Sequence, residues 1–383
     1  MPSIKDSLFG ESPPSVFVGR MGYPVVRMGP LVPAIADPSP VNFDNPASWA
    51  DLTIEDVIGM RASLVRSSSG FNVKDAYAID ARNSRILSMT QEIARAKKPV
   101  ETEVWFLKPP RADLKFDGIL TPMGPSGTID KLAITSNPSV ERKVEYITSD
   151  TDITASIAVN ELYRANIPVY QIMRLFSVGL LGEKRKLVPT RWSITATDDI
   201  LGKHLIERIR DYPEINEIEV YSHTHFENHF EIILLPAIFA FEVVEIWMPR
   251  SFWAEKGAIE ADREGYKGRR GYSRLGGGYY AARLGLLEQL ESRRRQATAI
   301  IIREINPSYW APLGVWVVRE GVRETLRKKP GLFTDPLDAL NHAASRIKTP
   351  VAEWRNELKL FDTARHQRTL ASFFLLFSRS PIV

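Results

Sequence analysis

The densest run of residues able to bind a polyanion lies between positions 263 and 303. It holds Arg263, Lys267, Arg269, Arg270, Arg274, Arg283, Arg293, Arg294, Arg295 and Arg303 against only Glu264, Glu288 and Glu291. Tyr266, Tyr272, Tyr279 and Tyr280 are interleaved with these cations. Arginine grips phosphate oxygens bidentately and tyrosine stacks on bases, so the composition suits DNA or a nucleotide phosphate. Gly276, Gly277 and Gly278 come directly before an expected helix, where free N–H groups can cradle a phosphate. No Lys-Ser or Lys-Thr closes the glycine run, so it is not a P-loop. The competing reading is a solvated arginine face beside a helix whose entry turn needs glycine. Upstream, Thr190-Arg191-Trp192-Ser193 sets a cation, an indole and two hydroxyls in a row, and adds Arg191 to the candidate phosphate-binding set. If that stretch is a strand, Trp192 faces away from Arg191 and Ser193 and belongs to the core.

Two groups could hold a divalent metal. Asp198 and Asp199 stand at an expected helix start, where paired carboxylates can bind Mg²⁺ or simply complement the helix dipole. His223, His225 and His229 surround a short turn. A three-residue turn at 226–228 would set His229 opposite His225 and gather three imidazoles on one face, with Glu227 or Glu231 nearby, for zinc or manganese. The alternative is the polar, solvent-facing side of a hairpin. Such a metal would make the chain a nuclease or nucleotide-processing enzyme. No Ser/His/Asp arrangement or nucleophile elbow is present, and no catalytic residue is assigned.

Near the C-terminus, Gln367 is followed by Leu370, Phe373 and Phe374. One helical turn over 370–374 would put the three apolar groups on one side as a plug for a hydrophobic pocket. The Gln367 amide could then bond backbone beside that pocket. This spacing is similar to the PIP motif by which replication and repair proteins dock on the sliding clamp PCNA. Arg365, Arg368 and Arg379 flank the plug and could steer it to an acidic partner. The same spacing also fits the buried stripe of a last helix.

The elements that must position these groups follow from local signals. Residues 1–50 are punctuated by Pro13, Pro14, Pro24, Pro30, Pro33, Pro38, Pro40 and Pro46, which forbid long regular elements. Thr53 and Asp56 predict a capped helix start, and a second helix runs from about Ile86 to Ala96. Short strands and turns fill 100–150, including 104–107 and 132–135. Helices are expected over 151–166, 170–181 and 197–212, followed by a three-stranded meander over 218–224, 229–235 and 239–248. A helix from about 279 to 297 follows, then strands at 299–305 and 314–318. Asp335 with Pro336 starts a helix, and Thr349 with Pro350 starts another that runs to about Phe361. The expected class is α+β: helices clustered around a mainly antiparallel sheet, a helical C-terminal region and a short docking tail.

With 383 residues, 44% hydrophobic and 25% charged, the chain has room for two domains with substantial cores. A net charge of +4 is modest, so nucleic-acid binding must rest on local patches. The chain has no cysteine, which excludes disulfides, thiol catalysis and any Cys-type zinc site. No signal peptide and no membrane-spanning stretch is expected, which suits a cytoplasmic protein.

Several blocks in order resemble the archaeal Nre DNA-repair proteins. These are Phe17-Val18-Gly19-Arg20-Met21-Gly22-Tyr23-Pro24 with Gly29-Pro30, the stretch from Leu187 to Ala196, Gly276 to Leu284, Arg294-Arg295-Gln296-Ala297, and Pro312-Leu313-Gly314-Val315-Trp316. The resemblance implies a DNA-damage response, a nucleoid-associated location, and DNA, PCNA and other repair proteins as partners. It also implies an N-terminal domain over 1–265, a C-terminal domain over 266–362 and a tail over 363–383. Many members carry a zinc-binding Cys cluster before the opening block; without cysteine, that metal is not carried over.

Overall fold

A computed structural model describes residues 6–34, 40–77 and 83–366. The chain divides into two compact units. Unit 1 comprises Met1–Leu205, Tyr280–Gly285 and Tyr309–Glu320; unit 2 comprises Ile206–Tyr279, Leu286–Ser308 and Gly321–Val383. Both carry helices with a mainly antiparallel sheet, so the α+β expectation holds.

Unit 1 is built on strands β1 (Ser7–Ser12), β2 (Val16–Val18), β3 (Val25–Pro33), β4 (Leu64–Asn72), β5 (Val100–Phe106) and β6 (Ser126–Ile134). Their order is β1-β5-β6-β4-β3-β2, antiparallel except where β4 runs parallel to β6. The helices are α1 (Ile54–Ala62), α2 (Asn83–Arg95), α3 (Arg142–Ser149), α4 (Ala155–Arg164), α5 (Val169–Ser177) and the first part of α6 (Thr190–Ile209). Helix α1 starts as expected: the Thr53 hydroxyl accepts the Asp56 amide while Asp56 reaches back to the Thr53 amide. The close approach of β3 to β4 requires Gly29, because a Cβ there would lie 2.0 Å from the Ser67 carbonyl oxygen.

Unit 2 contains β7 (Ile218–His225), β8 (Asn228–Leu235), β9 (Ala240–Trp247), β10 (Ala258–Glu264), β11 (Thr298–Ile305) and β12 (Gly331–Phe333) in the order β10-β9-β11-β8-β7-β12. The expected meander is therefore interrupted. Strand β11 lies between β8 and β9, antiparallel to the first and parallel to the second. All eight residues of β11 are buried, as an apolar run at the centre of a sheet should be. Helices α7 (Gly277–Arg293) and α8 (Trp316–Leu326) belong partly to this unit. Helices α9 (Pro336–Ala344), α10 (Val351–Trp354) and α11 (Lys359–His366) close one sheet face. There Ile233, Val244, Ile300 and Ile302 pack with Leu340, Trp354, Leu358 and Phe361.

Three boundaries differ from expectation. Helix α6 begins at Thr190, not 197, because Pro189 offers its carbonyl to the Trp192 and Ser193 amides. The segment 314–318 is the entry to α8 instead of a strand. The helix expected from Thr349 to Phe361 is broken into α10, a 3-10 turn and α11.

Candidate nucleic-acid interface

In unit 1 the hairpin β2–β3 carries the opening block, and its turn passes through Gly19–Pro24 with a cis peptide before Pro24. A cleft of about 560 Å³ runs beneath it, lined by Phe17, Arg20, Met21, Arg27, Arg66, Lys115, Asp117 and Arg191, among others. Past Arg27 it adjoins a second cleft of about 400 Å³ lined by Lys108 and Arg111, the two sharing Arg27, Ser68 and Ser126. The combined lining has seven cationic side chains and one carboxylate, Asp117. Arg27 is exposed yet pinned across three strands: Nε donates to Ser68 Oγ at 3.1 Å and Nη2 to Thr128 Oγ1 at 2.7 Å. These partners are neutral, so its charge stays available to an anion. Lys115 pairs with Asp113 at 3.0 Å and remains half exposed.

The same cleft brings three sequence blocks together. Thr190 Oγ1 accepts the Val18 amide at 2.9 Å, and two residues on Trp192 packs against Tyr23 with tilted rings whose centroids are 5.3 Å apart. Arg191 Nη1 sits 2.6 and 2.5 Å from the two Asp117 oxygens. Asp117 Oδ1 also accepts the Ile119 and Leu120 amides, and the Ile119 carbonyl accepts the Val315 amide at 3.1 Å. Gly314 is required there: its φ is +104° and a Cβ would come within 2.7 Å of the Leu120 backbone. Asp117 thus links the 187–196 block to the segment that meets the 312–316 block, and Thr190 links the 187–196 block to the opening block.

Comparison with known proteins identifies the family. The family models for "Archaeal Nre, N-terminal" and "Archaeal Nre, C-terminal" match residues 1–254 and 264–373. This chain belongs to the archaeal Nre family. It is 43% identical to "DNA repair protein NreA" of Archaeoglobus fulgidus over 374 residues, covering 97% of this chain and 91% of that one. Against "DNA repair protein NreB" of the same organism the identity is 39%, with 97% and 93% covered. "DNA repair protein NreA" of Haloferax volcanii is 40% identical, with 92% and 86% covered. No solved structure matches.

The Gly-Arg segment of this Nre chain is folded around one carboxylate. Asp262 accepts from Arg269 Nη2 at 2.9 Å, Ser273 Oγ at 2.7 Å and the Arg274 amide at 2.9 Å. Burial alone would raise the Asp262 carboxyl, but these hydrogen bonds outweigh it and hold it down at about 2. Arg269 also lies 4.6 Å over the Tyr279 ring, and Arg274 donates to the Ala261 carbonyl. Gly276, at φ +58°, turns the chain into α7, and Gly277 and Gly278 are buried in its first turn. Arg270 is exposed. Arg283 is buried, 1% exposed, and its Nη2 donates to Asp199 at 2.6 Å. Of the phosphate-binding candidates only Arg191 lines the cleft; Arg283 is a buried ion-pair partner, and Arg269 and Arg274 are held by their own loop.

The histidines are not gathered. The β7–β8 turn has two residues, Phe226 and Glu227, both at positive φ, so Thr224 pairs with His229 and His225 with Asn228. That register sets His229 on the face opposite His223 and His225. Its Nδ1 meets Thr224 Oγ1 at 2.9 Å and its Nε2 meets Glu231 at 2.8 Å. Glu231 also takes Arg346. Asp198 and Asp199 lie inside α6, the first paired with Arg319 and the second with Arg283 and Lys203. Among the described residues no group of three His, Asp or Glu could hold a metal ion. No helix among them is long and apolar enough to cross a membrane. Gln367, Leu370, Phe373 and Phe374 lie outside the described residues.

The cleft cations Arg20, Arg27, Arg66, Lys108, Arg111 and Lys115 escape a search for dense basic runs. They are spread over ninety-odd positions, and only strand pairing assembles them. The one available signal was Arg20, inside the opening block.

Proposed function

We propose that this chain is a DNA-repair protein that grips the DNA phosphate backbone in the unit 1 cleft and is tethered to PCNA through Gln367, Leu370, Phe373 and Phe374. The observation that carries the DNA reading is the meeting of three family blocks at a cleft with seven cations and one carboxylate. Cations gathered by paired strands can contact backbone phosphates and need no base-specific contact. Trp192 and Tyr23, about half exposed beside Arg191, add ring faces on which an unpaired base can stack. That its relatives are called DNA repair proteins supports the same role. A clamp tether would raise the local concentration of the protein at replicating or damaged DNA.

Two variants separate the two activities. Arg27→Glu with Arg111→Glu should weaken oligonucleotide binding at least tenfold and flatten its salt dependence, and leave clamp pull-down intact. Phe373→Ala with Phe374→Ala should abolish pull-down by PCNA and leave oligonucleotide binding intact. Retained DNA affinity in the first variant removes the cleft; retained clamp capture in the second removes the tether.

A further inference from the structure

Behind the cleft a narrower pocket of about 90 Å³ continues from the same walls, with Phe17, Arg66, Leu120 and Met123 lining both. Its other walls include apolar Leu31, Ile194 and Trp316, three more arginines, Arg61, Arg174 and Arg319, and one carboxylate, Asp44. Two of the four guanidinium groups are neutralised nearby. Arg61 pairs with Asp44 at 2.5 Å, and Arg319 pairs with Asp198. Arg66 and Arg174 are different. Arg66 Nε donates to the Gly124 carbonyl at 3.1 Å; Arg174 donates through Nε to Ala94 at 2.9 Å and through Nη2 to Ala96 at 2.7 Å. Among the described residues neither has a carboxylate within ion-pair distance, and Asp113 and Asp44 act on them only from farther off.

Carbonyl partners orient a guanidinium without cancelling its charge. Burial therefore pushes both groups down, Arg174 to about 10. Both retain partial exposure. Holding two uncancelled cations at one apolar-walled pocket is costly unless an anion arrives to supply the missing charge. We propose that this pocket takes a phosphate monoester, a dianion that matches Arg66 and Arg174 in charge. It comes either as the terminal phosphate of a strand lying in the cleft or as a free nucleotide; only the first source rests on the cleft reading. A phosphodiester within a chain carries sugars on both sides, which about 90 Å³ does not admit.

The test uses the full chain and one oligonucleotide sequence with 5′-phosphate, 3′-phosphate or hydroxyl ends, read by anisotropy. Thermal unfolding with dAMP or deoxyadenosine runs beside it. A phosphorylated end should bind about tenfold more tightly than a hydroxyl end, or dAMP alone should raise the Tm. The first result assigns the pocket to strand ends and the second to free nucleotide. Arg174→Gln should abolish the difference. Because Arg174 also ties the Ala94 and Ala96 carbonyls, Thr121→Trp serves as a second variant; it fills the pocket and leaves every arginine in place. Equal affinity for all ends together with equal Tm in dAMP and deoxyadenosine overturns the proposal. If hydroxyl-ended strands still bind with steep salt dependence in that case, the cleft reading survives the loss of the pocket.

Discussion

Replacing Asp117 by Asn should destabilise the protein slightly and tighten its grip on DNA, a pairing of effects that few mutations produce. Among the described residues Asp117 is the only carboxylate that lines the cleft, and it holds Arg191 with both oxygens. Its side chain and that of Arg191 are 18% and 27% exposed, so the lost ion pair should cost about 1–2 kcal/mol, a Tm decrease of a few degrees. An Asn side-chain oxygen still accepts the Ile119 and Leu120 amides, so the contact from Ile119 to Val315 persists. Freed from its partner, Arg191 becomes available to one more phosphate. One added contact multiplies the binding constant by the inverse salt concentration raised to about 0.9 for duplex or 0.7 for single strand. At about 0.1 M salt that is a gain of about eightfold or fivefold, with a correspondingly steeper log–log salt slope. Anisotropy titrations at four salt concentrations, with Tm measured alongside, read both quantities. Unchanged or weaker DNA binding in a folded Asp117→Asn protein would refute the reasoning.

Glu242 gives a pH prediction in unit 2. It is fully buried, caps the α11 amides of Lys359 and Leu360, and is pushed up to about 7 by desolvation despite those bonds. The folded state therefore holds this proton more tightly than the unfolded chain. Stability from this group should be full below its ordinary value of 4.5 and fall by about 3 kcal/mol as pH rises to 7, a slope that Glu242→Gln removes in urea titrations. Gly29→Ala should lower stability by about 3 kcal/mol or more in thermal melts, since its Cβ would meet the Ser67 carbonyl oxygen at 2.0 Å; a Tm within a degree of the parent would contradict the β3–β4 packing.

What the sequence revealed was mostly local. The Thr53–Asp56 cap, the Asp335–Pro336 start of α9 and the apolar runs of β7, β8 and β9 are each written within a few residues and appear where expected. Long-range choices were not legible. Nothing near residue 236 says that β11, sixty residues on, enters between β8 and β9. The β-branched Thr190, Ile194, Thr195 and Thr197 hid the first turns of α6, where a Pro189 carbonyl and the Val18–Thr190 bond override weak helix propensity. For the site, dense and dispersed cations differ in legibility. The basic run at 263–278, where Arg269 bonds Asp262, Arg274 bonds a carbonyl and Arg270 is exposed, is visible in the sequence, whereas the cations of the cleft are dispersed through unit 1. The histidine cluster failed by a single residue of register, set by the two-residue turn at Phe226–Glu227.

The most direct measurement is photo-crosslinking of a bromouracil-substituted oligonucleotide to the full chain, followed by mass spectrometry of the attached peptides. Crosslinks should concentrate in the peptides that span 16–27, 105–117 and 190–193 and disappear at high salt. Attachment chiefly within 263–278, or none that competes with unlabelled DNA, would contradict a DNA site in the unit 1 cleft.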